Sequence, residues 1–151
     1  MPNKKENLLV LFSVNESKIE NLYKSYSLKF PSHRRLWNKL AVKKRYQAEI
    51  LKDLSLRFDQ DNFFNMNGYS LQILSYVSNF IDEQIKKLKL GKIFLQEALI
   101  VALRLERSLK EKESVEIFEP RHDDVVRTFK RLNQDTNQHV NLLIKAYNRV
   151  I

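Results

Sequence analysis

The sequence predicts an all-α protein built as a bundle of four long helices, arranged as two antiparallel hairpins. Three observations carry that expectation. Only two glycines and three prolines punctuate the 151 residues, too few turn-formers for a sandwich, a barrel or a series of βαβ units. Apolar residues recur at spacings of 3 and 4 through four long stretches, as they do on helices with one inward stripe. The two internal prolines, Pro31 and Pro120, fall between those stretches, where proline can open a helix but cannot continue one.

The first stripe is Leu9, Phe12, Glu16, Ile19, Tyr23, Tyr26 and Phe30, which places a helix over residues 5–29. Beyond Pro31, Trp37, Leu40, Lys44, Gln47, Leu51, Leu54 and Phe58 set the second helix over 32–58. The third stripe, Leu95, Leu99, Ala102, Glu106 and Leu109, gives a helix over 93–116. After Pro120, Val125, Phe129, Leu132, Thr136, His139, Leu143 and Ala146 give the fourth, over 121–149. Between the second and third helices, residues 59–68 (DQDNFFNMNG) read as loop, and a further helical pattern follows through Leu71, Leu74, Val77, Ile81, Ile85 and Leu88. Two hairpins whose halves run parallel need a connection along the bundle, so residues 59–92 are assigned to a partly helical crossover. A single domain over 1–151 is expected, since this length and a 43% hydrophobic content can bury one core.

Charge and cysteine content narrow the function classes. Cysteine is absent, which excludes a disulfide framework, thiolate metal sites and cysteine nucleophiles and fits a reducing compartment. Lys plus Arg number 27 against 18 acids, a net charge of +9. Residues 1–60 hold 13 bases and 6 acids, so the excess sits in the first two-fifths of the chain. No segment reaches the roughly 18 apolar residues of a membrane span, so a cytoplasmic protein with no membrane partner is expected.

Each stripe is broken near its middle by residues foreign to an apolar seam: Glu16; Lys44 and Gln47; Glu106; Thr136 and His139. Glu16 and Lys44 are symmetric about Phe30, beside Pro31, and Glu106 and Thr136 are symmetric about Arg121, beside Pro120. Both pairs therefore lie about 21 Å from their turns at 1.5 Å per residue, in one polar layer at mid-bundle. One residue on the first helix and an i, i+3 pair on the second, repeated, is the frame of a carboxylate di-iron site.

On these residues the sequence resembles the ferritin-like superfamily, and within it the rubrerythrin-like proteins. The resemblance lies in Glu16 to Tyr23 (ESKIENLY), in Phe30-Pro31 followed by Trp37 to Ala48 (WNKLAVKKRYQA), in Ala98 to Glu106 (ALIVALRLE) and in Leu132 to His139 (LNQDTNQH). It implies a ferritin-like four-helix bundle, commonly paired as a homodimer, with iron or peroxide chemistry at a di-iron centre. Glu16 and Glu106 match the family's single glutamates, and His139 matches one of its histidines. Lys44 stands where a bridging glutamate would be, Gln47 where the first histidine would be, and Thr136 where the second glutamate would be. Three of the six ligands remain, and a lysine ammonium among them repels a cation and competes for the same carboxylates.

The expectation is a metal site converted into a salt-bridge core, with Lys44 between Glu16 and Glu106 and with Gln47, Thr136 and His139 completing a hydrogen-bond network. That implies a non-catalytic structural or interaction protein with no cofactor. A divergent metal-binding oxidoreductase, keeping iron or another divalent metal on Glu16, Glu106 and His139, is the first alternative. The second is a basic helical protein that binds nucleic acid or an acidic partner through Arg34, Arg35, Lys39, Lys43, Lys44 and Arg45. His33 and His122 follow the prolines at helix starts without metal-ligand spacing, and Tyr23, Tyr26 and Tyr46 are read as core or interface aromatics.

Overall fold

A computed structural model describes residues 8–57, 68–112 and 123–150. Among these residues all regular structure is helical: α1 (Leu8–Lys29), α2 (Arg34–Arg57), α3 (Gly68–Lys89), α4 (Leu95–Lys112) and α5 (Asp123–Val150), with a single 3-10 turn, Pro31–His33, before α2. No described helix is long and apolar enough to cross a membrane. Phe58, Pro120, Arg121 and His122 lie outside the described residues, as do the side chains of Leu71, Leu109, Val125 and Phe129.

The first turn follows from its proline. Phe30 closes α1 by donating its N–H to the Tyr26 carbonyl at 2.8 Å. Its own backbone is pushed to φ −122° and ψ 76°, because the pyrrolidine ring of Pro31 disfavours the helical region for the residue before it. Pro31 then opens the 3-10 turn, whose His33 N–H reaches the Phe30 carbonyl at 3.0 Å, and α2 starts at Arg34. At the far end of α3, Gly91 takes φ +74°, the left-handed cap that glycine supplies without steric cost. Its N–H bonds the Leu88 carbonyl at 3.0 Å, and α4 begins four residues later.

Residue pairs give the directions. Ser13 with Ala48, Glu16 with Lys44 and Tyr23 with Trp37 run α1 and α2 antiparallel. Asn15 with Leu74 and Lys18 with Ser78 run α3 parallel to α1. Arg104 lies over the Phe80 ring at 4.8 Å, tying α4 to α3, and Glu106 meets His139 between α4 and α5. The crossover pattern of residues 59–92 thus contains one continuous helix of 22 residues, as long as α1 itself.

That placement explains why α1 carries buried polar residues on more than one side. It packs on α2 and on α3 together, so Ser13, Asn15, Glu20 and Ser27 are buried beside its apolar stripe. Ser13 and Asn15 solve the burial by donating to the Ala48 and Leu74 carbonyls at 2.8 and 3.1 Å. The core at the turn end is aromatic. Trp37 meets Tyr26 and Tyr23 with ring centroids 4.8 and 5.5 Å apart at 58° and 45°, tilted contacts worth about 0.5–1.5 kcal/mol each beyond their burial.

Candidate functional site

The six stripe-breaking residues, spread over four helices, all lie in the interior. Glu16 on α1, Lys44 and Gln47 on α2, Glu106 on α4, and Thr136 and His139 on α5 are all buried, Lys44 and Glu106 completely. They lie on the inward stripes for the same reason as the leucines around them, the 3.6-residue period that sets each helix face. Asp135, one position off the stripe, is half-buried.

Lys44 Nζ is the centre of the layer. It lies 3.2 Å from Glu16 Oε2 and 2.9 Å from Glu106 Oε2. Glu106 accepts from two further groups: Tyr23 donates its hydroxyl to Oε2 at 2.8 Å, and His139 Nδ1 stands 2.9 Å from Oε1. With Glu106 ionised, the imidazole is the donor in that contact, which sets the proton on Nδ1. One carboxylate therefore gathers a lysine, a tyrosine and a histidine from three other helices. Both Lys44 contacts are ion pairs in the interior, with all three side chains out of solvent.

The expected network is incomplete at two positions. Gln47 Nε2 is buried with no hydrogen-bond partner. Thr136 turns back to its own helix, donating to the Leu132 carbonyl at 2.9 Å, a local bond that hydroxyls in helices readily make. Neither joins the ion pair. Tyr23 does, although its expected role was only that of a core or interface aromatic; the signal is its position seven residues after Glu16, two turns along the same stripe.

Burial and charge split the two glutamates. For Glu106, burial pushes the carboxyl up, but the Lys44 ammonium and the His139 and Lys44 bonds outweigh it and hold it down at about 2. For Glu16, burial wins over Lys44, and the carboxyl is raised above its ordinary value. Lys44 itself is raised: burial works against its charge, and the two carboxylates more than compensate. The Tyr23 hydroxyl is pushed well up by burial and by the adjacent Glu106. The layer is thus a charged Lys44–Glu106 pair with Glu16 as the more easily protonated member.

These donors do not fit a pair of iron ions. The ammonium lies within 3.2 Å of both glutamates, His139 Nδ1 is engaged by Glu106, and the Thr136 hydroxyl faces a backbone carbonyl. Among the described residues no group of three or more His, Cys, Asp or Glu side chains is arranged to hold a metal ion. Of the basic run, Lys44 is inside the bundle while Arg34, Arg35, Lys39, Lys43 and Arg45 are exposed. His33 pairs with its neighbour Ser32 at 2.9 Å, and Tyr46 is half-exposed. Comparison with models of known families, with curated proteins and with solved structures finds no match.

Proposed function

We propose that the protein is a ferritin-like four-helix bundle of the rubrerythrin type whose di-iron centre has been replaced by an internal ion pair, and that it works as a non-catalytic structural or interaction protein. The observation that carries this reading is the place of Lys44 Nζ, 3.2 and 2.9 Å from Glu16 and Glu106. A cation of the chain's own stands between the carboxylates that, in the resemblance, would hold metal. The helix directions support it too: α3 returns along α1, so α4 starts beside the Pro31 turn and runs parallel to α2, the connectivity of two hairpins joined by a long crossover. A cytoplasmic homodimer goes with the reading.

Two preparations test it. The native chain, purified without chelator and reconstituted anaerobically with ferrous iron, is expected to hold no stoichiometric iron, manganese or zinc. Metal near one ion per chain, lost in Glu106→Ala, would instead favour the divergent metal-binding oxidoreductase. The reverted variant Lys44→Glu/Gln47→His/Thr136→Glu is expected to take up ferrous iron and gain stability with it. A folded reverted chain that ignores iron would overturn the ferritin-like reading itself.

A further inference from the structure

Three chain segments meet at the Pro31 end of the molecule, where basic side chains far outnumber acidic ones, Glu97 in the first turn of α4 being the carboxylate nearest the tips. The chain has no acid between Glu20 and Glu49, none between Glu83 and Glu97, and none after Asp135. The C-terminal turns of α1, α3 and α5 come together there with the start of α4, since α3 is parallel to α1 and Tyr147 and Val150 of α5 pack on the same apolar cluster as Phe30, Leu36, Leu88 and Leu95. Lys29, Lys86, Lys87, Lys89 and Arg149 stand in those last turns. Arg34, Arg35 and Lys92 stand in the adjoining turns, and all eight are exposed.

Basic residues at helix C-termini have a simple local role, since they complement the helix dipole. That role does not account for what lies among them. Leu28 is 75% exposed, Leu90 74% and Phe94 73%, three large apolar side chains at the tips of the same end. Leu90 and Phe94 flank the Gly91 turn and alternate with Lys89 and Lys92. Exposed apolar side chains set in a ring of lysine and arginine match a lipid interface, where the former enter the acyl boundary and the latter meet headgroup phosphates.

We propose that this end of the bundle docks on an anionic membrane surface, lying on it without crossing it. The expectation of no membrane partner rested only on the lack of a spanning segment, which leaves this mode open. Charge complementarity selects the occupant: a second copy would bring two basic ends face to face, and a nucleic-acid backbone has no use for Leu28 and Leu90. The inference is independent of the ferritin-like reading.

Sedimentation of the full chain with vesicles tests it, comparing phosphatidylcholine alone with mixtures containing phosphatidylserine. Binding is expected only with the anionic lipid, weakening with salt and falling roughly fivefold for each of Lys86, Lys87 and Lys89 changed to Gln. Leu28→Ser/Leu90→Ser/Phe94→Ser is expected to lower partition at least about tenfold while keeping the helical far-UV spectrum of the native chain. Phe94→Trp supplies a second readout: brominated lipid should quench the new indole and leave buried Trp37 unaffected. No binding to anionic vesicles, binding untouched by the serine substitutions, an unquenched Trp at 94, or tighter binding to a DNA or RNA oligonucleotide than to vesicles would each overturn the proposal.

Discussion

Lys44 Nζ lies 2.9 Å from Glu106 Oε2, both side chains fully out of solvent, and the two belong to different helical hairpins, α1–α2 and α4–α5. The pair is therefore a tie between halves of the molecule as well as a buried charge. Removing one member of such a pair costs far more than the pair contributes, because the remaining charge stays buried without a partner.

Lys44→Met is expected to destabilise the fold by about 3–5 kcal/mol, since it leaves two carboxylates in an apolar interior. For a chain of this length that is roughly 6–20 °C in Tm. Thermal denaturation followed by circular dichroism at neutral pH reads it. Glu16→Leu/Lys44→Met/Glu106→Leu should recover part of the loss, because no charge is then stranded although Tyr23 and His139 lose their acceptor. An unchanged or higher Tm in Lys44→Met alone would contradict this account of the layer.

The two glutamates are not equivalent partners. The layer holds two carboxyls against one ammonium, and burial raises the Glu16 carboxyl whereas Glu106 is held at about 2. Glu16→Gln leaves a matched Lys44–Glu106 pair and is expected to change stability by less than about 1 kcal/mol. Glu106→Gln strips Lys44 of its closer counter-charge and leaves a single acceptor oxygen where Tyr23 and His139 use two, and should cost about 3–5 kcal/mol. Urea titrations of the two variants compare them directly. The reverse ranking would make Glu16 the principal counter-ion.

The helix stripes and the depth of the polar layer were legible in the sequence because both follow from the 3.6-residue period and from two prolines. Leu9, Phe12, Ile19, Tyr23 and Tyr26 on α1, and Trp37, Leu40, Leu51 and Leu54 on α2, are buried as their spacing required. The period says which face a side chain occupies and not which neighbour it chooses. Thr136 therefore reads as a network member when its hydroxyl in fact satisfies the Leu132 carbonyl, and Tyr23 reads as plain core when it donates to Glu106. Residues 69–90 carried a helical pattern throughout, but only the contacts of Asn15 and Lys18 fix that helix as a lateral partner of α1.

Stability should fall in acid through Glu106. Its carboxyl is held at about 2 in the fold against an ordinary 4.5, so the folded state binds this proton less readily than the unfolded chain. Its contribution is therefore complete above the ordinary value and is lost as pH drops through 4.5 toward about 2. At 1.36 kcal/mol per pH unit the lost contribution is at most about 3 kcal/mol. Glu16 acts with the opposite sign, favouring the fold when protonated. Tm measured across that window should drop less steeply in Glu106→Gln than in the native chain, and parallel curves would assign the acid sensitivity to other carboxylates.

Tyr23→Phe isolates the hydroxyl that Glu106 accepts at 2.8 Å. The ring keeps its contact with Trp37, centroids 5.5 Å apart, so the loss is one hydrogen bond to a charged group, about 1.5–3 kcal/mol. The carboxyl should also rise, since a donor that favours its ionised form is gone. Equilibrium unfolding in urea gives the first quantity. Carboxyl chemical shifts of a 13C-labelled Glu106, followed against pH in both proteins, give the second. A stability loss with no shift in titration would mean that the hydroxyl serves packing and not the ion pair.

The attachment of α3 rests on a different kind of contact. Asn15 donates to the Leu74 carbonyl at 3.1 Å in the interior, while Lys18 meets Asp82 at 3.1 Å with side chains 30% and 49% exposed. A half-exposed ion pair contributes little because water and salt screen it, whereas a buried amide donor leaves an unmet carbonyl lone pair and a small cavity when removed. Asn15→Ala should therefore cost about 1–2 kcal/mol, and Asp82→Asn under about 0.5 kcal/mol. Native-state hydrogen exchange adds the location. Because α3 touches the rest of the molecule chiefly through α1 and the Phe80–Arg104 region of α4, its amides should open before those of α2 and accelerate selectively in Asn15→Ala. Equal acceleration across α2, α3 and α4 would mean that the crossover helix unfolds with the bundle as one cooperative unit.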